Sequence, residues 1–170
     1  MDERFDVANT VAALGLSVDT LRWNDLLGLL APKIIVDYTS LYGGEVQTMA
    51  REDLIARWQA LLPGFSRTHH FIGAVHVTLT DPFAYAEAPL TAWHIIDDPG
   101  LAADATWDDT WIVAGHYELQ LEKLEGAWCI QALTLAGAWQ KGNLNLRAMA
   151  IERAHTAPRQ EPNSVTESSD

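Results

Sequence analysis

The chain has 170 residues, a formal net charge of −12 and 48% hydrophobic residues. This length suits one domain with one core, and the acidity argues against nucleic acids and anionic membranes as partners, because both require a positively charged surface. The single cysteine, Cys129, excludes an intrachain disulfide and a cysteine-based metal site. No apolar segment is long enough to cross a bilayer, and the first residues lack a secretion-signal pattern, so we predict a soluble, cytoplasmic protein.

The N-terminal part is predicted to be mainly helical. Apolar residues at three- and four-residue spacing predict a helix over residues 6–30, in two pieces that separate at Trp23-Asn24-Asp25 and ending at Ala31-Pro32. Asp19 continues the stripe of small and apolar residues formed by Ala8, Val11, Ala12 and Gly15, which is an unusual place for a carboxylate. A strand over residues 33–38, a turn over 42–45 and a helix over 51–62 follow.

The rest of the chain is predicted to form a long antiparallel sheet. Strand patterns cover residues 68–80, 83–96, 110–122 and 128–139. Asp81-Pro82 and Glu125-Gly126 provide tight turns, and the acidic segment 97–109 is expected to be a surface loop. We therefore predict an α+β domain over residues 1–140 with a curved sheet around the helices, a C-terminal extension over 141–155 with a short helix from about residue 143, and a disordered tail over 156–170.

Alternation in two strands predicts the wall of a cavity. In 83–96, one face carries four alanines and Leu90 and ends at His94. In 110–122, Gly115 and Tyr117 share an apolar face, whereas His116 lies on the opposite face and is expected to contact solvent. Small side chains beside one imidazole favour an apolar pocket, although large side chains from the helices could also fill this space.

Four polar residues stand out as candidates for acid–base chemistry: Asp19, Tyr38, His70 and His94. A carboxylate beside an imidazole can produce a general base, and a phenol or second imidazole can donate hydrogen bonds to a developing oxyanion. This set suits proton abstraction next to a carbonyl, followed by elimination, isomerisation or ring closure. The adjacent His69 would project to the opposite face of its strand.

Several segments resemble a known family. Ser17-Val18-Asp19, Trp23, Ala31-Pro32, residues 36–40 (Val-Asp-Tyr-Thr-Ser) and residues 67–73 (Arg-Thr-His-His-Phe-Ile-Gly) are similar to scytalone dehydratase and the wider SnoaL-like group. That group belongs to the nuclear transport factor 2-like superfamily of cone-shaped α+β folds. The resemblance covers about residues 5 to 140.

The resemblance implies roles for individual residues. His70 and Asp19 match a catalytic histidine–aspartate pair, Tyr38 matches a tyrosine that helps hold a water on the substrate carbonyl, and His94 matches a second histidine. It implies a cofactor-independent dehydratase, isomerase or cyclase acting on a small hydrophobic or aromatic carbonyl compound, such as a polyketide or terpenoid. Trp23 is implied to contact the substrate.

Three positions depart from the family pattern. Val18 replaces a second tyrosine that helps hold the water, and Gly115 and Tyr117 fall where the family has a serine and an asparagine in its pocket. We therefore expect a retained proton-transfer pair, a different substrate, and a Tyr117 hydroxyl that replaces the missing phenol.

Other functions remain open from the sequence. The same fold could form a non-catalytic module that binds a small molecule or another protein. A metal site built from His69, His70, His76 and His94 is disfavoured because none of these histidines belongs to a His-x-His or Glu-x-x-His pattern, and we predict neither metal nor cofactor. Outward-facing tryptophans such as Trp93 favour a homo-oligomer, a dimer or a trimer.

Overall fold

The computed structural model describes residues 2–97 and 108–156, in which helices cover one face of a curved, open sheet. In chain order the elements are α1 (Glu3–Asp19), α2 (Trp23–Leu29), β1 (Leu30–Asp37), α3 (Thr39–Tyr42), β2 (Gln47–Ala50), α4 (Arg51–Gln59), a 3₁₀ turn (Leu62–Gly64), β3 (Arg67–Ile72), β4 (His76–Thr80), β5 (Phe83–Ile95), β6 (Thr110–Leu124), β7 (Ala127–Gly142) and α5 (Leu146–Thr156). None of the described helices is long and apolar enough to span a membrane.

The described part of the chain forms one mixed sheet of seven strands. Its order is β2-β1-β7-β6-β5-β3, and β4 also pairs with β5 beyond the end of β3. All pairs are antiparallel except β1 with β7, which is parallel. The predicted α+β class with a curved sheet around N-terminal helices is confirmed.

Two predicted strand boundaries are wrong. Residues 30–32, which were predicted to end a helix, belong to β1. Pro32 is tolerated there because it lies where the register of β1 against β7 shifts, so that its missing N–H breaks no regular hydrogen bond. The predicted strand 68–80 is two strands, since the chain turns after Ile72 at Gly73, where a Cβ would lie 2.6 Å from the Pro89 side chain.

The N-terminal prediction also needs correction. The helix breaks at residues 20–22, where Leu21 adopts a left-handed conformation, and Trp23 begins α2. The buried stripe of α1 consists of larger side chains than predicted, and Ala12 is exposed; the buried members are Val7, Val11, Leu14, Gly15, Ser17 and Val18. The short strand β2 was not predicted, and residues 98–107 and 157–170 of the predicted loop and tail lie outside the described residues.

The inward faces of β5 and β6 form the main wall of the core. Ala84, Ala86, Ala88, Ala92 and His94 are all buried, as the alternation predicts. His116 on β6 is exposed, as predicted.

Helix α1 approaches β3 very closely at Gly15. A Cβ at this position would lie 2.9 Å from Cδ1 of Ile72 and 3.3 Å from the His70 carbonyl oxygen. Glycine therefore allows α1 to pack directly against the β3 backbone, and the helix ends one turn later at Asp19.

The C-terminal helix α5 packs against the 3₁₀ turn. A Cβ on Gly64 would lie 1.8 Å from the Ala150 carbonyl oxygen, and Nε of Arg153 donates a 2.9 Å hydrogen bond to the Gly64 carbonyl. These contacts hold α5 beside the core.

We predict that Gly15→Val lowers the free energy of unfolding by about 2–3 kcal/mol, because a branched side chain cannot avoid the β3 backbone. Gly28→Val in α2 is the matched control, since a Cβ there meets nothing within 4 Å. Urea unfolding of both variants checks this. Equal effects at the two glycines would contradict the proposed close packing.

Candidate active site

A cavity of about 450 Å³ lies between the helices and the sheet. Its interior is largely apolar and is formed by α1, α4, β1, β5, β6 and β7, with His70 on the β3 side. The candidate residues that line it are Val18, Tyr38, His70, His94 and Tyr117. Asp19 lies behind the ring of His70 and is not part of the lining.

Asp19 and His70 form a closely coupled pair. The Asp19 Oδ1 atom lies 2.7 Å from His70 Nδ1 and accepts a 2.8 Å hydrogen bond from the Thr68 hydroxyl, while Oδ2 accepts a 2.7 Å hydrogen bond from the His70 backbone N–H. Because an ionised carboxylate only accepts hydrogen bonds, Nδ1 carries the proton of the neutral ring. The ring nitrogen left for the cavity is therefore Nε2.

The environment of Asp19 keeps it ionised. Burial opposes its charge, but the hydrogen bonds and charge of His70 and the hydrogen bond from Thr68 outweigh burial and lower the pKa of Asp19. Asp19 is also the last residue of α1, where the helix dipole disfavours a negative charge. A carboxylate in this position is costly for stability, which favours a functional reason for its presence.

His94 is buried among aromatic side chains. Its ring centroid is 4.5 Å from that of Trp111 and 4.9 Å from that of Phe65, and its Nδ1 lies 3.2 Å from the Trp111 carbonyl oxygen. Burial, followed by the charge of nearby His70, lowers the pKa of His94 to about 3. Since Nδ1–H donates to a carbonyl, the neutral ring presents an accepting Nε2, whereas the sequence led us to expect a donor here.

The two imidazoles lie side by side but differ in character. Their ring centroids are 5.4 Å apart and their planes are nearly perpendicular. His70 has a carboxylate partner, whereas Nδ1 of His94 lies beside a backbone carbonyl, so the two rings are suited to different roles.

Two tyrosines line the cavity, Tyr38 just before α3 and Tyr117 on β6. Burial raises the pKa of both Tyr38 and Tyr117, and the neighbouring Tyr117 raises that of Tyr38 further. Both hydroxyls therefore stay protonated and can donate hydrogen bonds. Trp58, which sequence reasoning missed, lines the same cavity as Tyr38.

The residues around Tyr38 fix its position. Asp37 accepts hydrogen bonds from the backbone N–H and hydroxyl of Thr39, at 2.9 and 2.7 Å. The Ser40 hydroxyl donates to the Leu135 carbonyl and joins α3 to β7. Asp37 and Ser40 thus have structural roles, whereas Tyr38 and Thr39 line the cavity.

Two predicted substrate contacts lie outside the cavity lining. Trp23 packs against the core from the start of α2, because the helix break precedes it. Gly115 faces β7, where a Cβ would lie 2.7 Å from the Ala136 carbonyl oxygen at a bulge in the β6–β7 pairing. The cavity lining instead includes Trp111 and two arginines, Arg57 and Arg147. No pattern in the sequence predicts that these residues line the cavity.

The remaining histidines do not converge. His69 is exposed on the outer side of β3, with Nδ1 3.9 Å from Asp19 Oδ2, and His76 pairs with Glu87 on the surface. Within residues 2–97 and 108–156, no group of three or more metal-binding side chains occurs.

We predict that His94 makes the protein less stable in acid. Its pKa in the folded state, about 3, lies below its ordinary value of 6.5, so between these values the unfolded chain binds a proton that the folded protein cannot. Stability is therefore lost as pH falls from about 6.5 towards 3, by up to about 1.4 kcal/mol per pH unit.

The variant His94→Phe removes this titration and keeps a ring between Phe65 and Trp111. Urea unfolding at several pH values between 7 and 4.5 should show a shallower pH dependence than in the wild type. His116→Gln, at an exposed site, serves as the control with an unchanged slope. A slope in His94→Phe equal to that of the wild type would disprove the prediction.

Comparison with known proteins agrees with this architecture. A family model described as a SnoaL-like domain matches residues 1–134, whereas no curated protein matches the chain. The solved structure of the Kfla4162 protein from Kribbella flavida is 22% identical, with a TM-score of 0.74 over 89% of this chain and 96% of the other.

Two further structures share the fold. A protein from Novosphingobium aromaticivorans, provisionally described as a scytalone dehydratase, is 14% identical with a TM-score of 0.65, covering 82% of this chain and 87% of the other. A nuclear transport factor 2-like superfamily protein from Salmonella enterica is 13% identical with a TM-score of 0.60, covering 80% and 87%. The chain belongs to the SnoaL-like domain family.

Proposed function

We propose that the protein is a cofactor-independent acid–base enzyme that removes a proton next to the carbonyl of a small cyclic compound, such as a polyketide or terpenoid. The observation that carries this proposal is the Asp19–His70 pair, whose carboxylate–imidazole distance is 2.7 Å, at the wall of an apolar cavity. Dehydration, isomerisation and cyclisation all begin with this step.

His70 is the proposed base. Nε2 takes the substrate proton, and Asp19 holds the ring in the correct tautomer and stabilises the imidazolium that forms. Thr68 and the His70 backbone N–H occupy the remaining acceptor sites of Asp19 and keep the carboxylate in place.

The phenols are the proposed oxyanion stabilisers. When the proton leaves, negative charge develops on the carbonyl oxygen, and a protonated Tyr38 or Tyr117 can donate a hydrogen bond to it. Val18 stands where the family has a second tyrosine, and Tyr117 on the opposite wall provides a hydroxyl in its place.

Dehydration completes the scheme for a β-hydroxy ketone. The α-carbon electrons form the new double bond, the β-carbon–oxygen bond breaks, and the His70 imidazolium returns its proton to the departing hydroxide to give water. The accepting Nε2 of His94 can hold the substrate hydroxyl by accepting its proton in a hydrogen bond. The fold shared with a provisional scytalone dehydratase supports dehydration as the first reaction to test.

The first experiment needs no knowledge of the natural substrate. In D₂O, the protein should exchange the α-protons of simple cyclic ketones such as 2-tetralone, followed as loss of the proton signals by NMR. His70→Ala and Asp19→Asn should slow exchange about 100- to 10,000-fold, because general base catalysis is lost. Tyr38→Phe and Tyr117→Phe should also reduce the rate, since each removes a donor to the enolate.

His116→Ala is the matched control, because it removes an exposed histidine from the same sheet. Circular dichroism must show that each variant is folded. Exchange by His70→Ala within a few-fold of the wild-type rate would refute the role of His70.

A non-catalytic binding module is the second candidate, which the apolar cavity lining favours. Saturable binding of cyclic ketones without any exchange in the wild type would support this function and exclude the first.

We also propose that the protein assembles with itself through the outer face of the sheet. One row of paired residues crosses β3, β5, β6 and β7 on this face: Phe71, Thr91, Ala114 and Trp139. Phe71 is 59% exposed and Trp139 is 56% exposed, which leaves two large aromatic rings in contact with solvent.

Light scattering during size-exclusion chromatography should show a dimer or trimer of the 18.8 kDa chain. A Phe71→Lys, Trp139→Lys double variant should shift it to a monomer, because each lysine must lose its hydration at the interface. Lys33→Glu, away from this row, is the charge-altering control. A monomeric wild type at high protein concentration would disprove this assembly.

A further inference from the structure

The cavity has a mouth that differs chemically from its interior. We define the mouth as the exposed residues of the lining: Tyr42, Gly43, Glu45, Gln47, Arg57, Ala60 and Arg147. It therefore carries two cations and one anion, although the chain as a whole has a net charge of −12. A positive mouth on an acidic protein is a local feature that requires its own explanation.

Neither arginine at the mouth is neutralised. Within the described residues, no carboxylate lies within salt-bridge distance of Arg57 or Arg147, not even that of Glu45 in the same mouth. Arg57 donates to the Gln47 side-chain oxygen, which is a neutral acceptor. A guanidinium has five N–H donors, so most of those on each arginine remain available.

Arg147 is held in a defined position. Its Cζ atom lies over the Tyr42 ring, 5.0 Å from the ring centroid, which is a cation–π contact. The α5 helix that carries it is fixed by the Gly64–Ala150 contact and by Arg153. A cation whose position is set in advance loses less conformational entropy when it binds an anion.

Tyr42 connects this cation to the proposed reaction centre. Its ring packs edge-to-face against that of Tyr38, with 6.4 Å between the centroids and 86° between the planes. A group bound at Arg147 would thus lie two aromatic rings away from the phenol proposed to stabilise the enolate.

We infer that the natural substrate carries a carboxylate outside its reacting ring, which Arg147 binds with support from Arg57 while the ring lies against His70. This inference rests on the proposed function for the placement of the ring, although the carboxylate site itself is independent of catalysis. A singly charged carboxylate fits better than a phosphate ester, because Glu45 lies in the same mouth and would oppose a second negative charge.

The test compares two probes of nearly equal shape, 2-naphthoate and methyl 2-naphthoate, by isothermal titration calorimetry. Wild-type protein should bind the acid about 10- to 100-fold more tightly than the ester, because only the acid can form a charge-assisted hydrogen bond with Arg147. Arg147→Gln should abolish this preference without weakening ester binding, and Arg147→Lys should retain part of it.

Lys33→Gln is the matched control, because it removes an exposed positive charge away from the cavity and should keep the full preference. Equal affinities of the wild type for acid and ester, or a preference that survives Arg147→Gln, would overturn the inference.

His70→Ala separates this inference from the proposed function. It should lose exchange of ketone α-protons and keep the preference for naphthoate. A wild type that prefers the acid through Arg147 and shows no exchange would leave the carboxylate site in place and refute catalysis alone.

Discussion

The close contact between α1 and β3 is the constraint on which the candidate site depends. Glycine at position 15 lets the helix meet the strand backbone, since a Cβ at this position would lie only 3.3 Å from the His70 carbonyl oxygen. One turn later, Asp19 reaches both the backbone N–H and the ring of His70. A larger residue at position 15 would separate these groups, so helix packing and the acid–base pair share one cause.

This arrangement places a charge where the fold does not favour it. Asp19 is partly buried at the C-terminus of a helix, and it is stabilised only because Thr68 and His70 provide three hydrogen bonds. The same three bonds fix the orientation of the imidazole. The unfavourable position of Asp19 lowers local stability, but it fixes the direction of the free ring nitrogen of His70. Such a loss of stability is common at sites that perform proton transfer.

Environment distinguishes side chains of the same type. His70 and His94 have ring centroids 5.4 Å apart, yet one has a carboxylate partner and the other lies between Phe65 and Trp111, where burial lowers its pKa to about 3. Arg147 likewise differs from Arg153 on the same helix, because Arg153 binds the Gly64 carbonyl and Arg147 lies over Tyr42 at the cavity mouth. The surroundings of each side chain, and not its residue type, therefore decide its role.

The sequence by itself determined the α+β class, the alternating faces of β5 and β6, and the grouping of Asp19, Tyr38, His70 and His94, because side-chain periodicity and local residue types carry this information. It assigned Trp23 and Gly115 to substrate binding, whereas neither lines the cavity, because a helix break at Leu21 and a bulge beside β7 redirect them. Only the tertiary structure decided the direction of the His94 hydrogen bond and brought Arg57 and Arg147 to one mouth. These features arise from contacts between residues far apart in the chain, which no local pattern records.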